Sequence, residues 1–231
     1  YPPDPPVEIA PDVFFVHGRM RMAPGMTINR NMVVVRSAGG ELALLNPIRP
    51  TPDGERELER LGRVAHAVRL GFYHGVDDAW TVERFGAAFW ALEGPSDYAE
   101  PKPDHVLHEG GPLPIPDATL FVFHEAKHPE ACLLVERGGG LLVACDAIQH
   151  WASTSNCSWP AKVVTHAMGF VHAANIGPPW RRMMTKDGGS LRPDFERLLE
   201  LPFDRLVGAH GQPLLGGART ARRATVARVF D

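Results

Sequence analysis

The sequence has little with which to cross-link itself. Three cysteines, Cys132, Cys145 and Cys157, stand among 231 residues with no C-x-x-C spacing, which excludes a disulfide framework and a thiolate zinc site. Long apolar runs are also missing, so no segment approaches a membrane span. The opening residues hold no signal-like apolar core, and the expectation is a cytoplasmic protein without a membrane partner, N-terminal processing being left open. Charge of one sign is scarce as well. The 24 lysines and arginines against 27 aspartates and glutamates leave a formal net charge of -3, interspersed rather than in blocks. No basic footprint for nucleic acid results. What is present is 44% hydrophobic and 22% charged sequence, ample for the core of one large globular domain.

Residues 119–150 organise the chain. Three apolar runs, 120–123, 131–135 and 141–144, are short, and the last two are separated by Gly138, Gly139 and Gly140. Such runs between glycine turns predict adjacent buried strands. His124 and His128 follow the first run and Asp146 follows the third, so titratable groups appear where a buried sheet meets solvent. His124-Glu125-Ala126-Lys127-His128 also satisfies the H-E-x-x-H pattern of zinc proteases. That pattern needs a helix to put both imidazoles on one face. The strand-like run before it and Pro129 directly after it argue against one.

In chain order, residues 1–12 are a proline-rich arm and 13–231 a single domain. Strands are expected at 13–16, 32–36 and 42–45, the last two joined by a hairpin turn at 37–40. A helix at 53–61 stopped by Gly62 comes next, then a strand at 64–72. A polar turn, 73–78, leads into a helix at 79–92 on the spacing of Trp80, Phe85, Ala88, Phe89 and Leu92. Residues 93–116 are expected to be irregular. The long stretch 147–189 is expected to hold a helix around 161–174 and to wrap over a pocket with Trp151, Trp159, Phe170 and Trp180 as apolar walls. A helix at 190–201, a strand at 204–208 ending near His210 and a basic amphipathic helix at 218–229 complete the reading.

This order, with its polar landmarks, resembles the metallo-β-lactamase fold superfamily over nearly the whole chain from about Val13. The resemblance implies an α/β fold, a four-layer αβ/βα sandwich with a metal site along the shared edge of two sheets. The family motif H-x-H-x-D-H falls on His74-Gly75-Val76-Asp77-Asp78-Ala79, which keeps the first histidine and the aspartate and puts Val76 and Ala79 where two histidines belong. His128, Asp146 and His210 match the later single histidine, the bridging aspartate and the last histidine. The implied ligands are therefore His74, His128 and Asp146 for one metal and Asp78, Asp146 and His210 for the other. Three protein ligands plus water suffice for catalytic zinc. One divalent metal is expected, zinc first with iron or manganese as alternatives, in a depleted site.

Asp77 or Asp78 also suits an N-cap of the helix that follows. His17, His66, His105 and His108 read as structural or solvated, whereas His124, His150, His166 and His172 flank the site stretch. His150, nearest in sequence to Asp146, is the first candidate substitute ligand. The implied function is a metal-dependent hydrolase of a small ester, lactone, amide or thioester, with Asp78 and Asp146 as catalytic carboxylates. Its partner would be a small-molecule substrate, homo-oligomerisation being left open. The alternative is a metal-free relic of the fold acting as a binding or interaction module, which Val76 and Ala79 favour.

Overall fold

The computed structural model describes residues 4–231. The first sheet has seven strands in sequence order: β1 (Val7–Ala10), β2 (Val13–Ala23), β3 (Met26–Arg36), β4 (Glu41–Leu45), β5 (Arg63–Arg69), β6 (Ala88–Leu92) and β7 (His105–Leu107). The second is built from β8 (Ala118–Val122), β9 (Ala131–Val135), β10 (Leu141–Ala144) and β13 (Arg205–Val207), in the order β13-β10-β9-β8. A two-stranded pair, β11 (Ile148–Gln149) and β12 (Asn175–Ile176), follows Asp146.

Alternation of side chains along the strands makes the layers. Val33 and Val35 pack with Leu133, Val135, Leu141 and Val143 between the two sheets. Their neighbours Met32 and Val34 face the other way, onto Leu58 of α1 (Pro52–Leu61) and Val82 and Phe85 of α2 (Asp78–Phe85). On the second sheet Cys132, Leu134 and Leu142 turn outward onto Phe195 and Leu198 of α5 (Arg192–Leu198) and Val226 of α6 (Ala218–Phe230). Four layers result, helices, sheet, sheet and helices, with each fully buried leucine or valine contributing roughly 1.5–3 kcal/mol. No helix among the described residues is long and apolar enough to cross a membrane.

Several elements differ from expectation. The expected helix 79–92 is two elements, because Gly86 takes the left-handed conformation at φ 63° and ends α2. Beyond it Phe89 and Ala91 join the outer cluster while Trp90 joins the core between the sheets. That is a period of two, which the aromatic spacing had disguised. The proline-rich opening carries β1, since its proline-free Val7–Ala10 pairs with β2; residues 1–3 of that arm lie outside the described residues. The irregular connection 93–116 contains β7, and the helix expected at 161–174 is α3 (Trp159–Ala167), after which Gly169 turns at φ 72°. A further helix, α4 (Pro178–Met184), sits in the long stretch. The segment from His124 to His128 is not helical.

Buried amides join the two sheets where the site lies. Asn46, at φ 51°, accepts from Leu70 N at 3.1 Å and donates to Ala144 O at 3.3 Å. On β3, Asn31 donates to Gly208 O and Gly211 O at 2.9 and 3.0 Å, and Asn29 donates to Gly211 O at 2.6 Å. The loop after β13 is thereby tied to the first sheet.

Candidate metal centre

Three strand exits meet at this junction. His74 lies between β5 and α2, Asp146 just past β10 and His210 just past β13. His74 Nε2 is 3.3 Å from Asp146 Oδ2, and His210 Nε2 is 3.3 Å from Asp146 Oδ1. The two rings are 5.2 Å apart, and the ligand atoms of all three residues lie within 4.8 Å of one another. Both imidazoles are buried.

Backbone geometry explains why His210 can stand there. Gly211 has φ 84°, and a Cβ on it would come within 2.0 Å of His150 O. Only glycine permits that close approach, which lets the chain turn and direct the preceding imidazole inward. His210 Nδ1 is then 2.6 Å from Asn29 O. A carbonyl can only accept, so Nδ1 donates here, and Nε2 is the ring atom directed at the Asp146 carboxylate.

Burial alone would raise the pKa of Asp146, but the His74 and His210 imidazoles overcome it and hold the carboxyl well below the usual range. Burial lowers the pKa of His74, against the pull of Asp146. Two imidazoles and one carboxylate are a donor set for zinc, iron or manganese, with positions left for water. The three residues therefore fit a divalent metal. His210 has the backbone acceptor that orients metal-bound histidines, whereas His74 Nδ1 is buried without a hydrogen-bond partner.

The surroundings hold Asp146 in place. Gln149 Nε2 is 3.3 Å from both Asp146 O and Asp146 Oδ1, and Trp151 Nε1 donates to Gln149 Oε1 at 2.8 Å. Behind it Glu130 is 0% exposed, and its Oε1 accepts from Ala147 N at 2.9 Å. Burial, reinforced by the charge on Asp146, raises the Glu130 pKa well above the usual range.

The other expected ligands lie elsewhere. Asp78 is 1% exposed and faces Arg69 Nη1 at 3.3 Å. Asp77, the residue before α2, accepts from Arg30 Nη1 at 2.8 Å and makes no side-chain cap. Guanidinium groups thus take both motif carboxylates, including Asp78, which the resemblance assigned to a second metal. His128 stacks on Phe72, ring centroids 4.3 Å apart at 20°. His124 reaches Glu109 on the surface at 3.2 Å. His150 bridges to Gly211 through its backbone and does not line the cavity. Asp78, His128 and His150 are outside the group of three.

That group forms part of the wall of a cavity of about 460 Å³. Arg30 and Gln149 join it, and Trp151, Phe170 and Trp180 supply apolar wall. Trp159 does not, because α3 turns it outward to 77% exposure. Val76 lines the cavity, but Ala79, on the first turn of α2, faces solvent. Sequence reading missed Arg30, Gln149 and Glu130. The available signal for the first was the Asn29-Arg30-Asn31 run, polar residues directly ahead of the apolar strand at 32–36.

Helices enclosing two face-to-face sheets, with histidines and a carboxylate converging from strand exits at one shared edge, define the metallo-β-lactamase fold, and the chain has that fold. Solved structures bear this out. A metallo-β-lactamase from Pseudomonas aeruginosa in its mono-zinc form aligns over 99% of this chain and 96% of its own, at 12% identity and a TM-score of 0.68. A metallo-β-lactamase from Hirschia baltica aligns over 98% and 97%, at 13% identity and a TM-score of 0.62. A metallo-β-lactamase family protein from Thermus thermophilus aligns over 96% and 80%, at 15% identity and a TM-score of 0.60. No family model and no curated protein sequence matches the chain.

Proposed function

We propose that the chain is a hydrolase dependent on a single divalent metal held by His74, Asp146 and His210, acting on an ester, lactone, amide or thioester bond. The observation that carries this reading is the orientation of His210. Its Nδ1 donates to Asn29 O, which turns its Nε2 toward Asp146 Oδ1 at 3.3 Å, on the wall of a cavity large enough for a small substrate. A bound divalent metal supplies water activated near neutral pH and a Lewis acid for the substrate carbonyl.

The chain's own groups do the remaining work. Gln149 and Trp151 keep the Asp146 carboxylate from turning. Arg30, buried on the cavity wall and held by Asp77 and Pro47 O, adds positive charge to the wall near any oxyanion that develops there. The apolar wall excludes bulk water and strengthens these interactions. Asp78, sealed against Arg69, has no part in orienting water.

Elemental analysis of protein purified without added metal, alongside Asp146→Ala, tests the proposal. The expected result is one zinc, iron or manganese per chain, lost in Asp146→Ala together with hydrolysis of neutral esters, while circular dichroism is unchanged. Protein that stays metal-free after supplementation, or a fully active variant, would overturn it. The metal-free outcome would instead identify a binding module.

A further inference from the structure

The walls of the cavity have a composition that hydrolysis alone does not require. Five of the chain's seven methionines, Met20, Met22, Met26, Met168 and Met183, line it, although only about a tenth of the chain does. They come from four separate places: β2, the start of β3, the turn after α3, and α4. Methionine is unbranched and adaptable, and it suits a ligand that is itself flexible and apolar. The charged and imidazole groups, by contrast, are gathered around Asp146. Thr165, also on the wall, donates its hydroxyl to Ala161 O at 2.7 Å and leaves no donor for a ligand.

The apolar wall also continues outward. Met22, Val76, Val164, Met168 and Met183 line the cavity and are themselves exposed, so the apolar track runs from the metal group to the surface. A compact ring system would leave the outer part of that track bare, whereas a chain would follow it. A cavity of about 460 Å³ lies in the range that encloses small organic ligands, room for a hydrolysable head of about five heavy atoms and a chain of about ten carbons.

We infer that the ligand is an aliphatic amphiphile, with an ester- or amide-type head at His74, Asp146 and His210 and one unbranched chain of about eight to ten carbons along the methionines. The position of the head rests on the hydrolase reading above; the chain rests on the cavity wall alone.

Binding of neutral 1-alkanols, from hexanol to decanol, to chelator-treated full-length protein tests the chain without metal or turnover. Calorimetry and the fluorescence of Trp151 and Trp180 supply the readouts. Affinity should rise about fourfold per added methylene. Val164→Asp and Met168→Asp, at exposed positions on the rim, should weaken decanol at least tenfold with thermal midpoints unchanged. Trp159→Ala, outside the cavity, should leave decanol binding as it is. A flat series, tighter binding of 2-naphthol than of decanol, or unaltered binding by both rim variants would overturn the inference. Metal-dependent ester hydrolysis combined with a flat series would leave the hydrolase standing and remove only the chain. The reverse pattern would do the opposite.

Discussion

Asp78 offers a quantitative check on the conclusion that this motif carboxylate is sealed in the protein interior instead of being aimed at the metal group. Burial raises its pKa from an ordinary value near 3.8 to about 7, with Arg69 and Arg30 pulling downward and Asp77 adding to the rise. Between those two values the folded protein keeps a proton that the unfolded chain has released. Raising the pH through this window therefore favours unfolding, by about 1.4 kcal/mol per pH unit. The stabilisation from this group is complete below about pH 4, declines up to about pH 7 and is constant above, a total of about 4 kcal/mol over the shift from 3.8 to about 7. Asp78→Asn keeps the volume and an oxygen for Arg69 but cannot titrate. Urea denaturation of both proteins in chelator, at pH 5, 6, 7 and 8, should show wild-type stability falling relative to the variant by about 2 kcal/mol between pH 5 and pH 7. The difference should then level off. Parallel profiles would refute the reasoning, because they would mean that Asp78 stays ionised beside Arg69 throughout.

Two other substitutions separate the amides that position the site from residues that only flank it. Asn31→Ala removes the side-chain donor to Gly208 O and one of two to Gly211 O; it should cost about 1–3 kcal/mol of stability and weaken metal binding about 10- to 100-fold, read by denaturation and by competition with a chelating dye. Metal affinity equal to wild type would show that the tie does not position His210. His128→Ala breaks the stack on Phe72 and should lose about 0.5–1.5 kcal/mol while its metal content, by elemental analysis, matches wild type. Loss of metal in that variant would return His128 to the ligand set.

Short apolar runs and glycine turns were enough to find the strands of the second sheet, because a buried strand needs only a local run of β-branched or aliphatic side chains. The helices α1 and α6 were legible as well, the first through its charges and the stop at Gly62, the second through its arginine-rich pattern. So was the non-helical state of residues 124–128, where Pro129 acts on its immediate neighbours. Where two periods competed, local reading failed. The aromatic spacing at 79–92 suited a helix, and only the left-handed turn at Gly86 and the demand of β5 for a neighbouring strand decided otherwise.

By itself the sequence, through the family resemblance, nominated His74, Asp78, His128, Asp146 and His210 among its eleven histidines and many carboxylates. It could not determine which of them meet. That depends on the register of two sheets and on hydrogen bonds spanning about 180 positions, such as Asn29 and Asn31 to the loop of His210. The arginines that claim Asp77 and Asp78 come from β3 and β5, and the methionines of the cavity from four distant segments. Such pairings follow from packing, since a guanidinium finds its carboxylate only after the backbone has brought the two together. Local propensity acts over a few residues, whereas a site assembled from strand exits is a property of the closed sandwich.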